Sequence, residues 1–307
     1  MKKLNWFGFL EALIFLIFAT IGVQAQGEDT TPSLLRIADR YWMQPDVVYG
    51  SANNTPLKLD VWYPRDDNKP APTVVFIHGG GWIFGSKEGA VYQLLPYLER
   101  GWRVVNVEYR MAGNSLAPGA VEDTRCALRW VFRNARQWNF DTTKIVLTGQ
   151  SAGGHLSLIT GMIPDGSPLD NRCYGDSKYG DVPMKVAAII NWYGISDVND
   201  LIQGPNLKNY AAMWMGSMPD AADVARSVSP LTYVRQGLPP ILTIHGDKDD
   251  VVPYSHATRL KAALDKARVP NELYTIKGGG HGMFTQEQYV AAYKEIWKFL
   301  KDNKVVQ

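Results

Sequence analysis

The chain has 307 residues, 46% hydrophobic and 20% charged, with 32 Lys and Arg against 30 Asp and Glu. That composition describes a packed globule of one large or two modest domains and excludes a disordered or fibrous chain. A net charge of +2 gives no basic field for nucleic acid. Two cysteines, Cys126 and Cys173, are too few for a disulfide scaffold or a cysteine-rich zinc site.

In chain order, Met1 to Ala25 reads as an export signal. Lys2 and Lys3 give a positive start, Ala12 to Val23 is mostly apolar, and Val23-Gln24-Ala25 puts small residues at the −3 and −1 positions. Cleavage is expected after Ala25, which leaves 26–307 for a periplasmic or extracellular protein with no stable membrane span. An uncleaved anchor is the alternative, but Glu11 interrupts a run that would need about 20 apolar residues to cross a bilayer. An oxidising space permits a Cys126 to Cys173 bridge, with two free thiols as the other reading. Asn53-Asn54-Thr55 matches the glycosylation acceptor pattern.

Beyond the signal, short runs rich in β-branched residues alternate with longer amphipathic stretches. This pattern predicts an α/β fold with a mostly parallel central sheet flanked by helices. Strands are expected at Leu57 to Tyr63, Thr73 to Ile77, Arg103 to Tyr109, Lys144 to Thr148, Val186 to Ile190, Ile241 to His245 and Glu272 to Ile276. Several are apolar throughout, as strands covered on both faces must be. Helices are expected at Val91 to Arg100, Ala120 to Arg136, Ala152 to Met162, Ser255 to Ala267 and Gln286 to Leu300. Residues 164–183, rich in Gly and Asp, and 198–230, carrying Tyr210, Trp214 and Met215, break the alternation and are expected as lid or cap insertions on one domain.

The chemistry concentrates in four places. Gly149-Gln150-Ser151-Ala152-Gly153 is a G-x-S-x-G between a strand and a helix, the setting that lifts a nucleophilic serine clear of a sheet. His78-Gly79-Gly80-Gly81-Trp82 follows an apolar strand, where consecutive glycines let backbone N–H groups face a developing oxyanion. The same run lacks the Lys-Ser/Thr that would end a phosphate cradle. A serine nucleophile needs a base, and the base an orienting carboxylate. Asp247, Asp249 and Asp250 follow one strand, and His281 follows another through three glycines, giving the chain order Ser, Asp, His. His78, His155, His245 and His256 are read as structural, and no histidine pair has metal-ligand spacing.

These motifs make the chain resemble an α/β-hydrolase of the HGGG esterase type, similar to the hormone-sensitive-lipase-like esterases. It is closer still to the BD-FAE group of bacterial acetylxylan and feruloyl esterases. The resemblance rests on HGGGW at 78–82, GQSAGG at 149–154, HGDKDDVVP at 245–253 and GGGHG at 278–282, and it runs from about Asp46 to Leu300. It selects Asp249 as the acid and implies a catalytic set of Ser151, Asp249 and His281. The oxyanion donors would be the backbone N–H groups of Gly80, Gly81 and Ala152. Trp82 and Tyr193 are candidate pocket walls, with core packing as the alternative for each.

The implied activity is secreted serine carboxylesterase chemistry through an acyl-enzyme, without cofactor or metal. The substrate would be a small-molecule ester, or an acetyl or feruloyl ester on plant polysaccharide. A prolyl-oligopeptidase-like peptidase or amidase and a non-catalytic binding protein are the alternatives. Oligomeric state cannot be read from the sequence.

Overall fold

In the computed structural model, which describes residues 33–66, 69–170, 173 and 182–307, eight strands form one sheet. The export signal expected at 1–25 lies outside the described residues. The strands are β1 (Tyr41–Ala52), β2 (Thr55–Pro64), β3 (Ala71–Ile77), β4 (Arg103–Val107), β5 (Phe140–Gln150), β6 (Ala188–Trp192), β7 (Ile241–Gly246) and β8 (Asn271–Ile276). Their order is β1-β2-β4-β3-β5-β6-β7-β8. The β1–β2 and β2–β4 pairs are antiparallel, and every pair from β4 and β3 through to β8 is parallel. This is the α/β-hydrolase arrangement implied by the motifs.

The helices are α1 (Ser33–Arg40), α2 (Val91–Leu98), α3 (Gly119–Arg133), α4 (Ala135–Trp138), α5 (Ala152–Met162), α6 (Asn199–Ile202), α7 (Asn209–Met215), α8 (Ala221–Ser227), α9 (Ser255–Lys266) and α10 (Gln286–Asp302). They cover both faces of the sheet, which is why β4, β6 and β7 are buried at every position. Val75, Ile77 and Leu147 pack with Leu128 of α3, Ile159 of α5 and Leu260 of α9. On the other face, Val74, Phe76 and Val146 pack with Leu94 of α2 and Phe299 of α10. Each such side chain contributes about 1.5–3 kcal/mol by leaving water. The start of α10 is fixed by a capping box in which the Thr285 hydroxyl accepts from Gln288 N–H and the Gln288 side chain accepts from Thr285 N–H.

The first strand is absent from the sequence-based expectation. Pro45 and Gly50 obscure its alternation, and its pairing with β2 shifts register between Gln44 and Val47 and again between Val48 and Gly50. Its hairpin turns at Asn53 and Asn54, both at positive φ (51° and 56°), as a type I′ turn requires.

The two expected insertions separate in space. Residues 198–230 follow the carboxyl end of β6 and fold into α6, α7 and α8, where a cap over the site was expected. Residues 163–187 instead join the end of α5 to the start of β6. Helix α5 begins at the serine and runs back toward the amino ends of the strands, so the described residues at the two ends of this connection lie at the opposite edge of the sheet. Of the lid expected at 164–183, residues 171, 172 and 174–181 lie outside the described residues, and the described part is clamped to α3. Arg125 and Arg129 both donate to Asp170 Oδ1, and Cys126 is bonded to Cys173 with Cα atoms 5.3 Å apart.

Candidate active site

The β5–α5 turn is built by crowding. An added Cβ at Gly149 would meet the Ile77 carbonyl oxygen at 2.3 Å, and one at Gly153 would meet the same oxygen at 2.0 Å. Only hydrogen fits at either side of the turn. Ser151 sits between them at φ 56° and ψ −121°, a costly conformation for a residue with a side chain. It is pinned by its N–H donating to Trp192 O at 2.9 Å, while His155 N–H donates to Ser151 O at 2.9 Å.

His281 Nε2 lies 2.9 Å from Ser151 Oγ, and His281 Nδ1 lies 2.8 Å from Asp249 Oδ2. A carboxylate can only accept, so Nδ1 carries the proton and Nε2 is left as the acceptor for the serine hydroxyl. Asp249 Oδ1 accepts from the N–H groups of Val251 (2.9 Å) and Val252 (2.8 Å). Burial alone would raise the Asp249 carboxyl. The hydrogen bonds from His245 and His281 outweigh burial and hold it well below the usual carboxylate range.

The other two aspartates take structural places. Asp247 Oδ1 accepts from Gly278 N–H at 2.7 Å and so ties the acid loop to the histidine loop. Asp250 offers its carbonyl to Lys208 Nζ at 2.7 Å.

Gly80, Gly81 and Trp82 are at φ 115°, 57° and 60°, a left-handed run that favours glycine at its first two positions. The Gly80 carbonyl accepts from both Ile83 and Phe84 N–H at 3.0 Å, which closes the loop away from the serine. Ala152 opens α5, where the first N–H groups of a helix have no intrahelical acceptor. The arrangement brings a serine, its base, an acid and two kinds of backbone donor to one edge of the sheet.

Trp82 is corrected. It is 0% exposed, its indole N–H donates to His155 Nδ1 at 3.2 Å, and its ring stacks on Trp214 at 4.2 Å. It packs in the core behind the loop of Gly80 and Gly81. Tyr193 is likewise buried, at φ 39°, with its ring edge-on to His281 at 4.7 Å. It backs His281 from the core, the alternative to a pocket wall, and burial raises its hydroxyl well above the ordinary value.

Three contributions lie beyond the sequence reading. Tyr210 of α7 packs on Gly81, where an added Cβ would meet its Cβ at 3.0 Å, and its hydroxyl donates to Val251 O at 3.2 Å. It thus spans the oxyanion and acid loops. Phe84, three residues after Gly81, is 66% exposed and Met283, two residues after His281, is 90% exposed, so each motif is followed by an exposed apolar side chain. An apolar residue next to a catalytic motif was the available signal for these two. Among the described residues, no group of three His, Cys, Asp or Glu side chains could hold a metal ion, and no helix is long and apolar enough to cross a membrane.

The family described as BD-FAE matches residues 59–264. Esterase LipC of Mycobacterium tuberculosis is 30% identical over 254 residues, covering 79% of this chain and 60% of the relative. The chain spans 52–60% of the length of three mycobacterial relatives it matches. Among solved structures, a truncated carbohydrate esterase from gut microbiota superposes with a TM-score of 0.71 at 25% identity, covering 86% of this chain and 97% of that one. Propionate-bound esterase 2 of Thermogutta terrifontis gives 0.70 at 27% identity, with 84% and 93% covered.

Proposed function

The chain belongs to the BD-FAE family, and on that premise we propose that it is an exported serine carboxylesterase. It would cleave short or aromatic acyl esters, such as acetyl or feruloyl groups on plant polysaccharide. The observation that carries this reading is the continuous chain from Ser151 Oγ through His281 to Asp249, with hydrogen-bond distances of 2.9 and 2.8 Å.

Ser151 Oγ bonds to the ester carbonyl carbon as its proton passes to His281 Nε2. Asp249 stabilises the imidazolium without taking its proton. The carbonyl oxygen becomes an oxyanion and accepts from the N–H groups of Gly80, Gly81 and Ala152, each such donor contributing about 3–4 kcal/mol. Collapse breaks the bond to the alcohol, which leaves with the proton from His281. A water molecule then repeats the sequence on the acyl-enzyme and releases the acid.

The polysaccharide reading is supported by likeness to a carbohydrate esterase. Exposed Phe84 and Met283 offer apolar surface to an aromatic acyl group. The Cys126–Cys173 bond suits an oxidising compartment.

Hydrolysis of p-nitrophenyl acyl esters, methyl ferulate and acetylated xylan tests the reading. Cleavage of the short esters with none of the two carbohydrate-related substrates would remove the polysaccharide assignment. Fluorophosphonate labelling that persists in Ser151→Ala would remove the enzyme assignment altogether.

A further inference from the structure

Asp249 is held by a second imidazole. His245, the fifth residue of β7, is fully buried, and its Nε2 lies 3.1 Å from Asp249 Oδ2 and 3.0 Å from Val252 O. Both neighbours are acceptors only, so this nitrogen must carry a proton; the alternative tautomer would set a lone pair against two oxygens. The other nitrogen, Nδ1, is buried without a hydrogen-bond partner. An orphaned buried acceptor costs about 1–3 kcal/mol, so a histidine here is a net burden unless Nε2–H has a task.

We propose that His245 is a positioning residue for the catalytic acid: its Nε2–H fixes the Asp249 carboxylate toward His281 and takes up part of its negative charge. Oδ1 is already held by the N–H groups of Val251 and Val252. Those two bonds leave the carboxylate free to tip about Oδ1. The His245 bond to Oδ2 removes that freedom, so that His281 Nδ1–H always meets the same lone pair.

The surrounding titratable groups leave this task to His245. Tyr193 presents its ring to His245 at 6.4 Å and Tyr254 presents its ring at 5.7 Å, both edge-on. The Tyr210 hydroxyl is engaged by Val251 O. His256 of α9 receives Ser196 N–H on Nδ1 and has Asp200 Oδ2 3.2 Å from Nε2; burial, with the Arg259 charge, pushes its imidazole down to about 3 against the pull of Asp200.

The inference rests on the triad reading above, and its test separates the two. In the unmodified protein, nitrogen NMR of the imidazoles should show His245 as the Nε2–H tautomer whatever the substrate is; a Nδ1–H tautomer overturns the proposal. His245→Ala should lower the rate of fluorophosphonate labelling at Ser151 and kcat on p-nitrophenyl acetate by about tenfold to a hundredfold, the scale of a small misplacement. KM should stay within about twofold. The acid limb of kcat/KM should move to higher pH, because an undivided carboxylate charge holds the proton on the base more tightly. His245→Gln, which returns an N–H near the Nε2 position, should restore most of the rate. A reduced melting temperature with an unmoved acid limb, or a glutamine variant no better than alanine, overturns the proposal. If His245→Ala does not fold, the tautomer and His245→Gln still decide.

Discussion

Trp82 of the oxyanion loop and Trp214 of α7 stack face to face, with ring centroids 4.2 Å apart and planes 15° from parallel. A residue of α7 thereby fixes a loop whose N–H groups would meet the substrate. Trp214→Ala should cost about 3–5 kcal/mol of stability, as large aromatic truncations do. It should also lower kcat on p-nitrophenyl acetate about tenfold, because loosened oxyanion donors lose alignment. Trp214→Phe should keep most of both. Urea titration and steady-state kinetics on the two variants check this, and an alanine variant with undiminished kcat would refute the coupling.

His155 joins the same cluster, accepting from Trp82 at Nδ1 while its Nε2 donates to Val228 O at 2.7 Å. Burial pushes its imidazole down to about 4, against the opposing pull of the Val228 carbonyl. In the unfolded chain it returns to about 6.5, so between about pH 4 and 6.5 the unfolded state binds more protons. Stability from this residue is complete above that window and is lost on acidification through it, by about 3 kcal/mol at the lower end. Unfolding free energies at pH 7 and pH 4.5 should therefore fall more steeply in the parent protein than in His155→Gln. Equal slopes would show that His155 is not responsible.

Gly153→Ala places a methyl group 2.0 Å from Ile77 O and 2.6 Å from His78 O, both backbone atoms that cannot swing aside. The expected cost is about 3 kcal/mol or more, with loss of labelling at Ser151 in whatever protein folds. Gly113→Ala meets nothing within 4 Å and should be neutral or stabilise by about 0.4–1 kcal/mol. Thermal melts of the pair measure how far crowding, and not glycine content, shapes the nucleophile turn.

The Cys126–Cys173 bond closes a sequence separation of 47 residues. A loop of that length implies about 4 kcal/mol from restriction of the unfolded chain. Cys173→Ser should lower the melting temperature accordingly yet leave kcat on short esters unchanged, since the clamp lies at the sheet edge away from Ser151. A fall in kcat at temperatures where the variant is fully folded would contradict this placement.

What could be read from residues alone was the chemistry whose geometry is local. Gly149 and Gly153 are required within one turn of Ser151, and the three glycines before His281 sit in one loop. Roles set by distant partners were not legible. Trp82 reads as a wall or as core with equal ease until Trp214 is seen against it. His245 reads as a strand end until Asp249 turns back toward it. The placement of the described ends of 164–183 was within reach, because a helix that starts at the serine and feeds a parallel strand must end at the other edge of the sheet.

That separation of the two edges bears on handling the protein as a reagent. Asp165 and Lys185 are exposed on the connection between α5 and β6. Covalent attachment to a solid support through this end would leave Ser151, at the other edge of the sheet, facing solution. Attachment through the cap helices would turn it toward the support.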